Sequence, residues 1–123
     1  MKKPRRVSRI LGAVIGLCFF GSIAAIALAS PPDQVIKITA KRFEYNPNEI
    51  KLKKGVPAVL EFTSLDRLHG FSCPDFGIRT DIAPGKVATV RFVPDKAGTF
   101  PFHCDIFCGD GHEEMTGKFI VED

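Results

Sequence analysis

Between residues 103 and 115 the chain reads His103-Cys104-Asp105-Ile106-Phe107-Cys108-Gly109-Asp110-Gly111-His112-Glu113-Glu114-Met115. Two thiols, an imidazole and a thioether thus fall within about a dozen residues. Thiolate and thioether are soft ligands that favour Cu(I), and imidazole serves either copper oxidation state. Cys104 and Cys108 are four apart, Cys108 and His112 are four apart, and Met115 follows three later. Gly109 and Gly111 permit tight backbone turns, so one loop can wrap these side chains round a point. His69, in Asp66-Arg67-Leu68-His69-Gly70-Phe71, is the natural further ligand from a distant strand. His103 alternates with Cys104 on an extended chain and reads as a non-ligand.

The segments that must position these groups are short and alternating. Val35–Thr39, Glu49–Lys53, Val59–Thr63, His69–Cys73, Arg79–Ile82, Val87–Val93, Thr99–Cys104 and Lys118–Val121 read as strands, separated by Gly- and Pro-bearing turns. Phe43–Pro47 reads as a bend. Ile50 and Leu52 point inward, as do Ala88, Val90 and Phe92. His69, Phe71 and Cys73 share one face. No long helical period follows the first thirty residues, so the fold class is an all-β sandwich. Eleven Phe, one Tyr and no Trp predict a dry aromatic core.

Residues 1–29 stand apart. Lys2, Lys3, Arg5, Arg6 and Arg9 precede an apolar run from Ile10 to Ala29. This is the pattern of a signal peptide or a membrane anchor. Ala27-Leu28-Ala29 suits cleavage before Ser30, and the run is also just long enough to span a bilayer. Residues 30–34 form a tether and 35–123 one domain. The formal charge of +3 comes from 17 basic and 14 acidic residues. Five bases and no acids lie in the leader, so the remainder carries 12 against 14. Nucleic-acid binding has no support in that balance. Cys18 falls in the leader. Cys73, Cys104 and Cys108 remain, and an odd count in an exported domain does not describe a disulfide scaffold, although Cys104 and Cys108 could pair without metal. Cys73 reads as a small buried hydrophobe.

The pattern C-x-x-x-C-G-x-G-H-x-x-M after an upstream His-Gly-Phe resembles the dinuclear copper (CuA) domain of haem-copper oxidase subunit II. It is also similar to the matching domain of nitrous oxide reductase. Phe43-Glu44-Tyr45-Asn46-Pro47 and Ala83-Pro84-Gly85 extend the resemblance over nearly everything after Asp33. The resemblance implies a cupredoxin-like Greek-key β-sandwich with two bridging thiolates, Cys104 and Cys108. It implies His69 and His112 as the imidazole ligands, Met115 as a weak thioether ligand and Ile106 as a backbone-carbonyl ligand. Oxidase subunits often carry Glu at the Ile106 position, a departure that leaves the backbone oxygen in place.

The implied function is one-electron transfer, as a subunit II-like component or a free-standing shuttle. The implied partners are a c-type cytochrome and the catalytic subunit of a haem-copper oxidase. The implied location is the bacterial periplasm or the outer face of the cytoplasmic membrane. No activated nucleophile or substrate pocket is legible, so catalysis by this chain alone is not expected. A zinc site of His69, Cys104, Cys108 and His112 leaves Met115 unexplained. A mononuclear blue-copper site of His69, Cys108, His112 and Met115 leaves Cys104 unexplained. Copper storage or delivery to an oxidase is the other functional class. Asp105, Asp110, Glu113 and Glu114 read as a solvated face or as a negative docking patch.

Overall fold

A computed structural model describes residues 2–4, 12, 16, 18, 21, 22 and 32–123. Most of the expected leader (residues 1–29), and with it the reading as signal peptide or anchor helix, lies outside the described residues. Among the described residues no helix is long and apolar enough to cross a membrane.

Among the described residues nine strands form two sheets. They are β1 (Gln34–Lys41), β2 (Glu44–Asn46), β3 (Glu49–Lys53), β4 (Ala58–Ser64), β5 (His69–Cys73), β6 (Ile78–Ile82), β7 (Ala88–Phe92), β8 (Gly98–His103) and β9 (Thr116–Glu122). One sheet has the order β2-β1-β4-β7 and the other β3-β9-β8-β5-β6. The β1–β4 and β3–β9 pairs are parallel and the remaining pairs antiparallel. Single 3-10 turns occupy Pro74–Phe76 and His112–Glu114.

Alternation places the apolar residues where a two-layer sandwich needs them. Ile50 and Leu52 of β3, Ala58, Leu60 and Phe62 of β4, and Phe119 and Val121 of β9 are buried. In β7 only Ala88, Val90 and Phe92 turn inward, while Val87 and Val93 beside the strand are exposed. Phe43–Pro47 differs from the expected bend. Glu44–Asn46 pairs with the last three residues of β1, because buried Tyr45 carries its hydroxyl to the Gly70 carbonyl at 2.6 Å and holds the segment against the sheet. β1 begins one residue earlier than expected, since the Gln34 amide receives the Lys53 N–H and donates to the Val56 carbonyl.

Phe71 of β5 centres the core. Its ring lies 4.6 Å from Phe62, 5.2 Å from Phe102, 6.1 Å from Phe119 and 6.5 Å from Tyr45, mostly in tilted or edge contacts. Such pairs add to simple area burial. Among the described phenylalanines only Phe107 departs from the expected aromatic core, at 70% exposed.

The sandwich has two poles. At one, Gln34, Lys54, Gly55, Pro94 and Glu122 are joined by backbone bonds and the Gln34 side chain. At the other, Arg42, Asp66, Cys104 and Met115 meet. Between them β1 runs roughly 23 Å at about 3.3 Å per residue. Removing the ring at the centre, Phe71→Ala, is expected to destabilise the domain by about 3–5 kcal/mol. Urea unfolding followed by circular dichroism checks this, and a cost near zero would show that the core closes over the gap.

Candidate metal centre

β5 opens with His69, whose side chain points inward and is fully buried. The loop before it is organised by Asp66. Asp66 Oδ1 accepts the Arg67 N–H at 2.7 Å and meets His69 Nε2 at 2.6 Å. Asp66 Oδ2 accepts the Arg42 N–H at 2.8 Å. Partial burial alone would raise the Asp66 pKa. The Arg42 N–H, the His69 ring and the Arg67 N–H outweigh it and hold the carboxyl down at about 2. An ionised carboxylate can only accept, so His69 Nε2 is the donor and Nδ1 is the ring atom left to offer a lone pair in the neutral imidazole. That Nδ1 is the one buried side-chain nitrogen or oxygen among the described residues with no hydrogen-bond partner. An orphan of this kind costs about 1–3 kcal/mol unless something else binds it.

Facing it is the loop from Cys104 to Met115. Its ends are tied by the Cys104 N–H donating to the Met115 carbonyl at 3.1 Å. Inside, Gly109 (φ 134°) and Gly111 (φ 107°) turn the backbone through left-handed conformations. The ring of Phe43 lies under both glycines, and a Cβ on Gly111 would sit 2.9 Å from it. The 3-10 turn His112–Glu114 then returns the chain to β9.

The donors expected from spacing converge. The ligand atoms of His69, Cys104 and Cys108 all lie within 4.8 Å of one another, and all three residues are buried. The two Sγ atoms are 3.9 Å apart, and both cysteines are free thiols. His112 Nδ1 is 3.6 Å from Cys108 Sγ, and Met115 Sδ is 3.9 Å from it. The Ile106 carbonyl oxygen is 3.1 Å from Cys104 Sγ. Burial, and then neighbouring Cys104, push the Cys108 thiol pKa up. A bound cation reverses that penalty by stabilising thiolate. The set of two sulfurs, imidazole nitrogens and a thioether around an unpartnered lone pair fits copper.

His103 and Cys73 stay outside the cluster. His103 is exposed on the far side of β8 from Cys104. Cys73 is buried four residues along β5 from His69, about 13 Å at strand rise, with its thiol pKa raised by desolvation. The acidic face is smaller than the sequence suggests. Asp105 is held by Arg79 of β6 through Nε–Oδ2 at 2.6 Å and Nη2–Oδ1 at 2.9 Å, leaving Asp110, Glu113 and Glu114 exposed.

Asp66, Arg79, Tyr45 and Phe43 support the site without being legible as supports. Only Asp66 left a signal, a carboxylate three residues before the strand histidine.

The profile of the cupredoxin-like domain family matches residues 11–121. Two Thermus thermophilus proteins named cytochrome c oxidase subunit 2 are each 32% identical over 99 residues. Those residues are 80% of this chain and 73% and 59% of the two relatives. The nitrous-oxide reductase of Cupriavidus necator is 38% identical over 91 residues, 71% of this chain but 14% of that protein. Among solved structures, the periplasmic domain of subunit II of cytochrome oxidase from Bradyrhizobium japonicum superposes with a TM-score of 0.69. It is 24% identical, and the match covers 77% of this chain and 88% of that one, a likeness of fold.

Asp66→Ala frees the His69 ring to rotate and to change tautomer. Copper affinity is expected to fall about 10–100-fold, the usual effect of removing a carboxylate that orients a ligating histidine. Competition against a chelator of known affinity measures it; an unchanged affinity would show that packing alone fixes the ring.

Proposed function

The chain belongs to the cupredoxin-like family and is homologous to cytochrome c oxidase subunit 2 and nitrous-oxide reductase; from that premise we propose that it carries single electrons through a dinuclear copper centre. In this reading Cys104 and Cys108 would hold the copper through their sulfurs, with imidazoles from His69 and His112, a thioether from Met115 and the carbonyl oxygen of Ile106. The observation that carries the reading is the number of donors at one buried point. A single ion in a site of this kind takes about four ligands, and six groups gather here. A mononuclear blue-copper set would leave the Cys104 thiol, 3% exposed and 3.9 Å from Cys108, without a role. A zinc set would leave the fully buried Met115 sulfur 3.9 Å from Cys108 without one.

Copper supplies the one-electron couple. The protein's part is to hold its donors still. The loop is tied at its ends and set on Phe43, an arrangement that would let the ligands keep one geometry in both oxidation states. Fully buried His69, Cys108 and Met115 exclude water, and His112 alone among the side-chain donors is partly exposed. Its ring lies 5.8 Å from exposed Phe107, and both line a surface hollow of about 280 Å³ with Asp110 and Glu113. This edge suits a redox partner such as a c-type cytochrome. In an exported protein, in the periplasm or on the outer face of the membrane, the acceptor would be the catalytic subunit of a haem-copper oxidase.

Electron paramagnetic resonance of the copper-loaded chain, with copper quantified on the same sample, tests the proposal. Hyperfine splitting shared over two nuclei at two copper ions per chain is expected, and Cys104→Ser should reduce this to one ion with single-nucleus splitting. One ion per wild-type chain would leave a mononuclear cupredoxin. A silent sample of tightly held Cu(I) that resists oxidation would point to storage or delivery instead.

A further inference from the structure

The ion pair between Arg79 and Asp105 lies outside the donor set but rests directly against it. Arg79 grips Asp105 with both arms of its guanidinium and reaches Asp81 Oδ1 at 2.8 Å. Arg79 and Asp81 are two apart on β6 and share its outer face, and Asp81 stands opposite Gly70 in β5. The Asp105 carboxylate settles over Gly70, where any Cβ would collide with it, and Ile106 Cγ1 is 3.1 Å from the same point. Asp105 is flanked on both sides by proposed ligands. Cys104 Sγ receives the Gly70 N–H at 3.4 Å, and the Ile106 carbonyl lies 3.1 Å from that sulfur. A side chain fixed at two atoms fixes the peptide planes around it. A planar fork does this for a carboxylate, whereas an ammonium fixes only a point.

We propose that the Arg79–Asp105 clamp is a positioning device that presents the Ile106 carbonyl to the sulfur pair, and so decides whether the centre takes two copper ions or one. This rests on the dinuclear reading. Neither side chain makes a hydrogen bond or ion pair with a proposed ligand atom, and the clamp acts through the loop backbone. The side chains are 49% and 24% exposed, so solvent screens the pair, although its two-point geometry still adds modestly to global stability. Breaking the clamp is therefore expected to alter the centre at only a modest cost to the fold.

The test compares the full chain with Arg79→Met, Arg79→Lys and Asp105→Asn. Copper per chain, the paramagnetic resonance spectrum and the metal-free melting temperature are read for each. Wild type is expected to hold two ions with shared splitting. Arg79→Met is expected to drop towards one ion with single-nucleus splitting, while its metal-free melting temperature moves by no more than about 8 °C. Arg79→Lys and Asp105→Asn, which keep part of the contact, are expected to fall between. A wild-type count and spectrum in Arg79→Met would overturn the clamp while leaving the dinuclear reading intact. A single ion in wild type would instead remove the dinuclear reading and the clamp's role with it. A melting loss in Arg79→Met beyond that range, with Arg79→Lys and Asp105→Asn at full copper, would show that the pair holds the fold and not the centre.

Discussion

A buried histidine nitrogen with nothing to bond is the constraint on which the site depends. His69 Nδ1 is left open because Nε2 is committed to Asp66, and Asp66 is in turn held ionised by two backbone N–H groups. Burying that lone pair is unfavourable in an isolated sandwich and favourable once a cation meets it. The surrounding architecture follows from the need to bring sulfur to this nitrogen. β5 supplies the histidine and accepts the ligand loop over Gly70, and Tyr45 fixes the Gly70 carbonyl from the other sheet.

The strands were legible because one face of each is buried, and burial on one face writes a period of two into the sequence. Glu49–Lys53 and Ala58–Ser64 show this plainly. β2 was not legible, since three residues are too few for a period and Tyr45 is held by a hydroxyl bond across the sandwich. The converging donors His69, Cys104, Cys108, His112 and Met115 could be named from residue type and spacing. Their supports could not. Arg79 lies 26 positions from Asp105, and Asp66 lies 24 from Arg42, so each pairing exists only after the sheets have formed. Phe43 carries no mark that separates a ring beneath a loop from a ring in the core.

Local electrostatics around the loop are more balanced than its composition. Four acids lie between residues 105 and 114, yet Asp105 is neutralised by Arg79, and Arg42 and Arg67 belong to the same pole. The exposed surface at this pole is therefore mixed in charge, with Phe107 exposed and Leu65 and Leu68 exposed in the loop that carries Asp66. Mixed rims of this kind favour brief encounters, in which charge steers approach and a small apolar contact sets the lifetime.

The distance between the poles has a consequence for modularity. Pro32, Asp33 and Gln34 bring the chain into the sandwich at the pole away from the sulfurs, pinned there by Asp33 against Arg91 and by Gln34 against Lys53 and Val56. A change ahead of Pro32 therefore reaches the sandwich at the end opposite its donor atoms. The sandwich works as a cartridge, with one end for attachment and the other for chemistry. The same domain can then be mounted on different assemblies while its cluster of donor atoms stays untouched.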